Sequence, residues 1–154
     1  MKQLAIFTDG ACYPNPGTGG WAYVIVDEKK VILHQKNGGE KNTTNNRMEL
    51  KALIESLRWL SNKPDYYSIH VFTDSTYVIN VVNRTLMNHF FNLNKDLIKE
   101  LSLLMNKHEV SCHHVKAHSG IKMNELADSM AMDYMNSLID ANEKVPDAFK
   151  DLLK

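Results

Sequence analysis

Short apolar runs rich in β-branched and aromatic residues open the chain. The runs 4–7, 21–26 and 31–33 are separated by segments that contain glycine, proline or charged residues. Runs of this kind, bounded by turn-forming residues, are typical of β-strands, and their close succession predicts an antiparallel meander of three strands. The first part of the chain is therefore expected to form one side of a sheet.

Helical and strand patterns alternate in the rest of the chain. Apolar residues spaced by three and four predict helices over 46–60, 75–82, 96–105 and 124 to about 139. Strand-like runs fill 66–73 and 110–115. Since strands joined through helices pair in parallel, we predict an α/β fold with a mixed five-stranded sheet flanked by helices, in which strands 1–3 are antiparallel and strands 4 and 5 parallel.

The length of 154 residues fits one domain, and no internal repeat divides it. With 44% hydrophobic and 23% charged residues, the composition is globular and excludes a disordered or fibrous chain. We predict one domain over 1–139. Residues 140–154, which are net acidic and contain Pro146, are predicted to form a C-terminal tail with at most one or two helical turns.

Several features predict a cytoplasmic protein. Cys12 and Cys112 are too few for a disulfide framework and suit a reducing compartment. No apolar run approaches the roughly 18 residues of a membrane-spanning helix, and Asp9 follows the start too soon for a secretory signal. The sequence has no long apolar stripe or heptad repeat of the kind that is buried in an interface. We therefore expect a monomer with no membrane contact and no obligate protein partner.

The charge is balanced overall but unevenly distributed. The 18 basic residues equal the 18 acidic residues in number, so net charge offers no general attraction to nucleic acid. Residues 84–124 carry a net charge of +3 and residues 125–154 one of −4. The positive excess therefore lies in the middle of the chain and the negative excess at its end.

Two predicted strands end on nearly the same motif. Residues 6–10 read Ile-Phe-Thr-Asp-Gly and residues 71–75 read Val-Phe-Thr-Asp-Ser, which places Asp9 and Asp74 at strand ends. An aspartate at the end of a strand is also typical of a turn or of a helix cap. Either aspartate alone is therefore a weak indication of a catalytic site.

Two further acidic residues have similar alternatives. Glu49 follows Asn46 at the spacing of a capping box, which would explain it without a catalytic role. Asp128 shares a helical face with Ala131 and Met132, where its carboxylate needs either a contact with the start of the helix or a cation. Together the four acids match the oxygen ligands that Mg²⁺ prefers.

The four acids lie within a series of longer motifs. In chain order these are Ile6-Phe7-Thr8-Asp9-Gly10-Ala11-Cys12, Asn15-Pro16-Gly17, Gly19-Gly20, Thr43-Thr44-Asn45-Asn46-Arg47-Met48-Glu49-Leu50, Thr73-Asp74-Ser75, Tyr77-Val78, Val115-Lys116-Ala117-His118-Ser119-Gly120 and Asn124-Glu125-Leu126-Ala127-Asp128. The series resembles type 1 ribonuclease H over most of residues 4–135. Each motif alone is weak, but their order is specific, and residues 43–50 are the strongest block.

The resemblance implies a ribonuclease H-like fold and an endonuclease that hydrolyses the RNA strand of RNA/DNA hybrids, leaving 5′-phosphate and 3′-hydroxyl ends. Asp9, Glu49, Asp74 and Asp128 match the carboxylates with which the family holds two Mg²⁺ ions, for which Mn²⁺ can substitute. His118 matches a mobile-loop histidine that relays a proton or helps product and metal leave. Without the resemblance, His118 reads as an exposed loop histidine.

The resemblance also implies accessory and substrate-binding residues. Glu125 matches a glutamate beside the mobile loop that assists metal or product handling. Thr44 matches a threonine in a pocket for a phosphate of the DNA strand, and Asn94 aligns loosely with the asparagine of that pocket. Contacts in the minor groove, where the 2′-hydroxyl identifies RNA, fall on Gly10, Ala11, Cys12, Asn15, Asn45 and Asn46.

Two departures from the family concern affinity for the substrate. Residues 84–95 are short and mildly basic where many members carry a strongly basic handle with tryptophan. Asn42 stands where an arginine often supports the phosphate pocket, with Lys41 beside it. Since neutralised phosphates supply much of the affinity for nucleic acid, we predict weak, salt-sensitive binding unless Phe90, Phe91, His89 and nearby lysines compensate by stacking and charge.

Other functions are weighed against this one. Related 3′-exonucleases place two acids one residue apart on the first strand, whereas Gly10 and Ala11 follow Asp9 here, and transposases and junction resolvases lack the block at 43–50. A non-catalytic hybrid-binding module would be marked by loss of a metal ligand, and all four acids are present. A domain working beside a reverse transcriptase is compatible with the short handle.

Overall fold

A computed structural model describes residues 1–87, 91–139 and 145–153 of the chain. Parts of the handle region and of the predicted tail, 88–90 and 140–144, lie outside the described residues. The described elements, in chain order, are β1 (Lys2–Tyr13), β2 (Gly17–Val26), β3 (Ile32–Thr43), α1 (Asn45–Leu60), β4 (Tyr67–Thr73), α2 (Thr76–Leu86), α3 (Lys95–Met105), β5 (Glu109–His114), α4 (Lys122–Leu138) and a 3-10 helix (Asp147–Leu153).

The strands form one mixed sheet in the order β3-β2-β1-β4-β5. Strand β2 pairs antiparallel with both β1 and β3, whereas β4 pairs parallel with both β1 and β5. The fold class predicted from the sequence is confirmed, including the division between an antiparallel meander and two parallel strands.

Helices cover the sheet on both faces because alternate residues of each strand point to opposite sides. Ile6, Tyr23 and Ile25 belong to a large core shared with apolar residues of α1, α2 and α3. The intervening Val24 and Val26 pack with α4 in a second, smaller core. Helix α4 lies over β1, β2 and β3.

Glycine sets how closely α4 approaches the sheet. A Cβ added to Gly20 would overlap the carbonyl oxygen of Ala131 in α4. Strand β2 and helix α4 therefore meet backbone to backbone at this point. Among the described residues no helix combines the length and the apolar character needed to cross a membrane.

Strand β3 differs most from its prediction. The apolar run 31–33 predicts three residues, but the strand extends over Ile32–Thr43. Most of its side chains are polar and exposed, because β3 lies at the edge of the sheet and pairs with β2 alone. An edge strand without a continuous buried face carries little of the alternating pattern that identifies a strand in a sequence.

Smaller differences occur at the ends of other elements. Helix α2 continues to Leu86, four residues beyond its predicted end, and α4 begins at Lys122 rather than at 124. Strand β5 ends at His114, although the Val115 N–H still donates to the carbonyl oxygen of Thr73 at 2.9 Å. The short 3-10 helix lies within the predicted tail.

Candidate active site

Parallel pairing of β1 with β4 brings Asp9 and Asp74 together. Phe7 pairs with Phe72 across the two strands, so the carboxylates two residues further on lie at the same end of the sheet. Asp9 is still within β1 and pairs with Ala22 of β2, whereas Asp74 directly follows β4. The motif that occurs twice in the sequence therefore converges on one place in the structure.

Helix α1 brings Glu49 to the same end of the sheet. The helix packs directly on β1 at Gly10, where an added Cβ would lie 2.5 Å from the backbone nitrogen of Glu49. Only glycine permits this approach, and Glu49 is 4% exposed. The capping-box alternative is wrong, because Thr44 caps α1: its hydroxyl accepts from the Arg47 N–H at 3.2 Å.

The capping alternative for Asp74 is also wrong. Ser75 caps α2, and its hydroxyl oxygen accepts from the Val78 N–H at 3.1 Å. The hydroxyl of Thr73 accepts from the Ser75 N–H at 3.0 Å. Because two neighbouring hydroxyl groups satisfy the backbone at this turn, the Asp74 carboxylate is left to face the cleft.

Helix α4 contributes Asp128 from the other face of the sheet. The helix begins at Lys122, so Asp128 lies beyond the first turn and Glu125 is the acid within that turn. A contact with the start of the helix therefore does not account for Asp128. Its carboxylate lines the same cleft as the other three acids.

The four acids line one open cleft of about 500 Å³ and belong to two groups. In the sheet group, Asp9, Glu49 and Asp74, one carboxylate oxygen of each lies within 4.8 Å of the others. In the α4 group, His118, Glu125 and Asp128, the ligand atoms meet the same distance limit. Oxygen ligands so close together suit a hard divalent cation.

Burial changes the acidity of the sheet group. It raises the pKa of Asp9 to about 7, and the negative charge of Asp74 adds to the rise. Burial also raises the pKa of Glu49 well above its usual range, with further contributions from the charges of Asp9 and Asp74. The pKa of Asp74 is raised chiefly by burial. The three carboxylates therefore cannot all ionise without a cost that a cation would offset.

One atom of the sheet group tests directly whether a cation fits. Glu49 Oε2 is buried and has no hydrogen-bond partner among the described residues. A buried carboxylate oxygen without a partner is costly, and metal coordination is one of the few ways to satisfy it. The donor set therefore fits a divalent cation, with Asp9, Glu49 and Asp74 as the residues able to hold it, and Asp128 lines the same cleft.

His118 lies in an exposed turn between β5 and α4. Its backbone has a φ of 54°, and Gly120 has a φ of 84°, so two residues of this turn are left-handed. The Gly120 N–H donates to Glu125 Oε1 at 3.4 Å, which links the turn to the start of α4. The turn thus holds an imidazole beside Glu125 and Asp128 at the rim of the cleft.

Most of the predicted substrate-binding residues also lie at the cleft. Its lining includes Gly10, Ala11, Cys12, Asn45 and Asn46. Two of the predicted residues instead hold backbone groups at the start of α1. These are Asn15, whose Oδ1 accepts from the Asn45 N–H at 3.1 Å, and Thr44, which caps the helix.

Asn94, at the start of α3, is held beside Tyr77 of the cleft by groups from two other helices, α1 and α2. Its amide donates to the Tyr77 hydroxyl at 2.7 Å, and its Oδ1 accepts from Arg47 at 3.3 Å. Arg47 also makes two hydrogen bonds with the Asp96 carboxylate, at 2.9 and 2.8 Å. Asn94 itself has a left-handed φ of 56°.

Within residues 84–95, where many family members carry the basic handle, Arg84 contacts Phe91, which packs against the core. The Arg84 guanidinium lies 4.9 Å from the centre of the Phe91 ring, and Phe91 packs against the main core. The half-buried Phe91 ring already contacts Arg84 and the core, which leaves less of its surface to stack on a base. Phe90, also named for stacking, lies outside the described residues.

Comparisons with known proteins agree with this geometry. A sequence model of the RNase H family matches residues 1–136. The chain is 43% identical over 152 residues to a ribonuclease H of Wolbachia (strain wRi), covering 91% of this chain and 98% of that protein. A ribonuclease H of Francisella tularensis subsp. novicida is 43% identical over 148 residues, covering 90% and 94%. The chain belongs to the ribonuclease H family.

Solved structures share the fold of this ribonuclease H family member. The N-terminal RNase H domain of a Mycobacterium tuberculosis protein has a TM-score of 0.76 at 20% identity, covering 89% of this chain and 96% of that one. LC11-RNase H1, solved in complex with an RNA/DNA hybrid, has a TM-score of 0.74 at 22% identity, covering 89% and 99%. The RNase H1 names are consistent with the type 1 resemblance.

The structure adds residues that sequence reasoning missed. Thr76 and Tyr77 of α2 and Met132 of α4 line the cleft as well. Thr76 could have been found from its place two residues after Asp74, and Met132 from its spacing of four from Asp128. The bonding of Arg47 to Asp96 spans 49 residues and leaves no local signal in the sequence.

Proposed function

We propose that the protein is a metal-dependent endoribonuclease that hydrolyses the RNA strand of RNA/DNA hybrids and leaves 5′-phosphate and 3′-hydroxyl ends. The observation that carries this proposal is the convergence of four carboxylates on one open cleft, with Glu49 Oε2 buried and unpartnered. Membership of the ribonuclease H family supports a nuclease that acts as a hydrolase.

The four carboxylates share one task in this proposal, which is to bind the metal ions. Asp9, Glu49, Asp74 and Asp128 would hold two Mg²⁺ ions, or Mn²⁺ in their place, at the cleft that they line. When bound, these ions supply Lewis acidity and stabilise negative charge on the reacting phosphate. The fold supplies rigidity, because the sheet group stands on two paired strands and a helix that packs on them.

His118 and Glu125 act at the rim of the cleft. The imidazole of His118 moves a proton near the scissile phosphate, which is chemistry that suits histidine near neutral pH. The left-handed backbone of the turn keeps the ring exposed, so that it can reach the substrate and withdraw. Glu125 accepts from the Gly120 N–H and in that way positions the turn.

Recognition of the hybrid relies on small groups near the carboxylates. Gly10, Ala11 and Cys12 present little bulk at the cleft, and Asn45 and Asn46 supply amides beside them. Such groups can approach a wide, shallow minor groove and contact 2′-hydroxyls. The complex of LC11-RNase H1 with an RNA/DNA hybrid supports this class of substrate.

We further propose a cytoplasmic monomer whose affinity for the hybrid is weak and sensitive to salt. The charges of the chain balance, and residues 84–95 supply few cations. Thr44 and Asn94 bind a phosphate of the DNA strand in this proposal, with Asn94 held ready by Tyr77 and Arg47. The salt dependence follows from the phosphate contacts that remain.

A cleavage assay tests the proposed function. End-labelled RNA/DNA hybrid, duplex RNA, duplex DNA and single-stranded RNA are incubated with the protein, with Mg²⁺ or with EDTA. We expect internal cuts confined to the RNA strand of the hybrid and dependent on Mg²⁺. Asp128→Asn removes a carboxylate of the cleft, and Asp133→Asn, an exposed acid on the same helix, is its matched control.

The outcomes separate the proposed function from its alternatives. Loss of cleavage in Asp128→Asn but not in Asp133→Asn supports the assignment of the cleft. A protein that binds hybrid without cutting it would instead be a hybrid-binding module. Cutting of branched DNA in a follow-up assay would indicate a junction resolvase, and cleavage that continues in EDTA would contradict the metal dependence.

A further inference from the structure

Two histidines meet on the outer face of the parallel strands, away from the carboxylate cleft. His70 lies in β4 and His113 in β5, and the nearest nitrogens of the two rings, His70 Nδ1 and His113 Nε2, are 2.9 Å apart. In the register of the strands His70 pairs with Ser111, so the two histidines are diagonal neighbours. Since α4 packs over β1, β2 and β3, the pair is left accessible, with His113 exposed.

Gln3 of β1 determines which nitrogen of His70 carries the proton. His70 Nε2 lies 3.0 Å from Gln3 Oε1, and a carbonyl oxygen can only accept a hydrogen bond. Nε2 must therefore be the protonated nitrogen in the neutral ring, and Nδ1 presents its lone pair towards His113. Histidines that bind metal ions have this arrangement, in which the second ring nitrogen donates to an oxygen that fixes the tautomer.

We propose that His70 and His113 form a binding site for a divalent transition-metal ion such as Zn²⁺. Imidazole nitrogens are preferred ligands of these ions, with bonds of about 2.0–2.1 Å to zinc. The ion replaces the proton that His113 Nε2 shares with His70 Nδ1, and that proton moves through solvent to His113 Nδ1, which leaves both rings neutral. Only small rotations of two accessible side chains are needed to admit it.

Groups around the pair favour a cation. The Ser111 hydroxyl lies 3.3 Å from His70 Nδ1 and is a third possible ligand or a partner for bound water. His70 also lines a shallow cavity of about 190 Å³ together with Asp27 and Glu28. Two carboxylates near the imidazoles make the local potential more negative, which attracts a cation.

Neighbouring rings hold the pair in position. The His113 ring lies 5.0 Å from that of Phe72, which in turn lies 5.0 Å from that of Phe7. Because these contacts already restrict the His113 side chain, metal binding loses less conformational entropy than it would with a freely rotating histidine. The bound ion joins β4 to β5 on this face of the sheet.

Titration with Zn²⁺ by calorimetry tests the site. The full chain is titrated in excess Mg²⁺, which competes for the carboxylates, and His70→Asn and His113→Asn are compared with wild type. His34→Asn is the matched control, because His34 stacks on Trp59 and lies apart from the pair. Histidine ring resonances in NMR spectra show which residues respond, and cleavage of hybrid is measured in parallel.

We expect saturable binding of one Zn²⁺ per chain that weakens at least about tenfold in each variant of the pair and is unchanged in His34→Asn. The ring signals of His70 and His113 should shift together. Zn²⁺ affinity that is the same in all four proteins, or ring signals that respond only at other histidines, would overturn the proposal. Because no residue of the pair lines the cleft, hybrid cleavage by the variants reports on the proposed function separately.

Discussion

The sheet group lines the cleft with all three of its carboxylates, whereas the α4 group lines it with Asp128 alone, and the fold holds the two groups differently. Asp9 and Glu49 of the sheet group are 5% and 4% exposed, whereas His118 of the α4 group lies in an exposed turn. Burial raises the pKa values of the sheet group, so its ionised form is costly before a cation binds. The comparison indicates a rigid, buried sheet group and a more adaptable turn that carries His118 beside α4.

Removing a carboxylate from the sheet group should have the largest effect. In Asp9→Asn we expect hybrid cleavage to fall more than about a thousandfold, because metal-ion stabilisation of the reacting phosphate is worth several kcal/mol. Asparagine keeps an oxygen that can accept from the Gly10 N–H, at 2.9 Å in the wild type, so the fold should be retained. Single-turnover cleavage in Mg²⁺ measures the loss.

The same variant should also be more stable than wild type when no metal is added. It lacks a buried carboxylate that is repelled by its neighbours, and we expect a gain of about 1 kcal/mol, or roughly 2–4 °C in Tm. Thermal unfolding in EDTA measures it. A Tm below that of wild type would contradict the view that repulsion among the carboxylates of the sheet group destabilises the metal-free protein.

Removing the imidazole at the rim should have a smaller effect on cleavage. We expect His118→Ala to lower the rate about a hundredfold, the lower range for a group that transfers a proton in the transition state. The Tm should stay within error of wild type, because His118 is exposed. A loss equal to that of Asp9→Asn would contradict the proposed division between the two groups.

Two glycine variants compare the packing of the two groups. Gly10→Ala inserts a Cβ against the backbone of Glu49, and we expect a loss of about 1–3 kcal/mol of stability together with reduced cleavage. Gly120→Ala, in the turn next to His118, meets no atom within 4 Å but has an unfavourable φ of +84°. Its cost should be about 1–2 kcal/mol. Chemical denaturation of both variants measures the difference.

The smallest expected effect of the sheet group is on the pH dependence of stability. A carboxyl group with a raised pKa binds its proton more tightly when folded, so its contribution is greatest below its unfolded pKa of about 3.9. That contribution declines as the pH rises to about 7, the pKa of folded Asp9. Mg²⁺ should therefore raise the Tm more at about pH 8 than at about pH 5. In Asp9→Asn the difference between the Tm increases at the two pH values should be smaller than in wild type. An equal increase at both pH values in wild type, or an undiminished difference in the variant, would contradict this.

Local patterns carried most of the fold. The apolar spacing in α1 and the β-rich runs of β1, β2 and β4 arise from faces that are buried, so these elements were predictable. The presence of β3 was predicted from its apolar run, but its length was not, because pairing with β2 rather than its own side chains extends the strand to Thr43. The same limit applies to any element whose stability comes from a neighbour distant in sequence.

The candidate site was predictable by a different route. The resemblance named the four acids, whereas spacing alone left a capping role open for Glu49 and Asp74. The choice depended on Thr44 and Ser75, whose hydroxyls cap the two helices. The contact of Asn94 with Tyr77 and Arg47 depends on how three helices pack, which no short segment of sequence records.

The seat of α4 on Gly20 has a consequence for ion selectivity. Because backbone meets backbone there, no side-chain rotamer can change the distance between the α4 backbone and β2, which pairs with the strand that carries Asp9. Mg²⁺ requires ligand distances of about 2.0–2.1 Å, whereas Ca²⁺ takes about 2.3–2.6 Å. Because the helix and the sheet cannot easily move apart here, we expect the cleft to bind Mg²⁺ in preference to the larger Ca²⁺. Gly20, although remote from the carboxylates, would then contribute to selectivity by ion size.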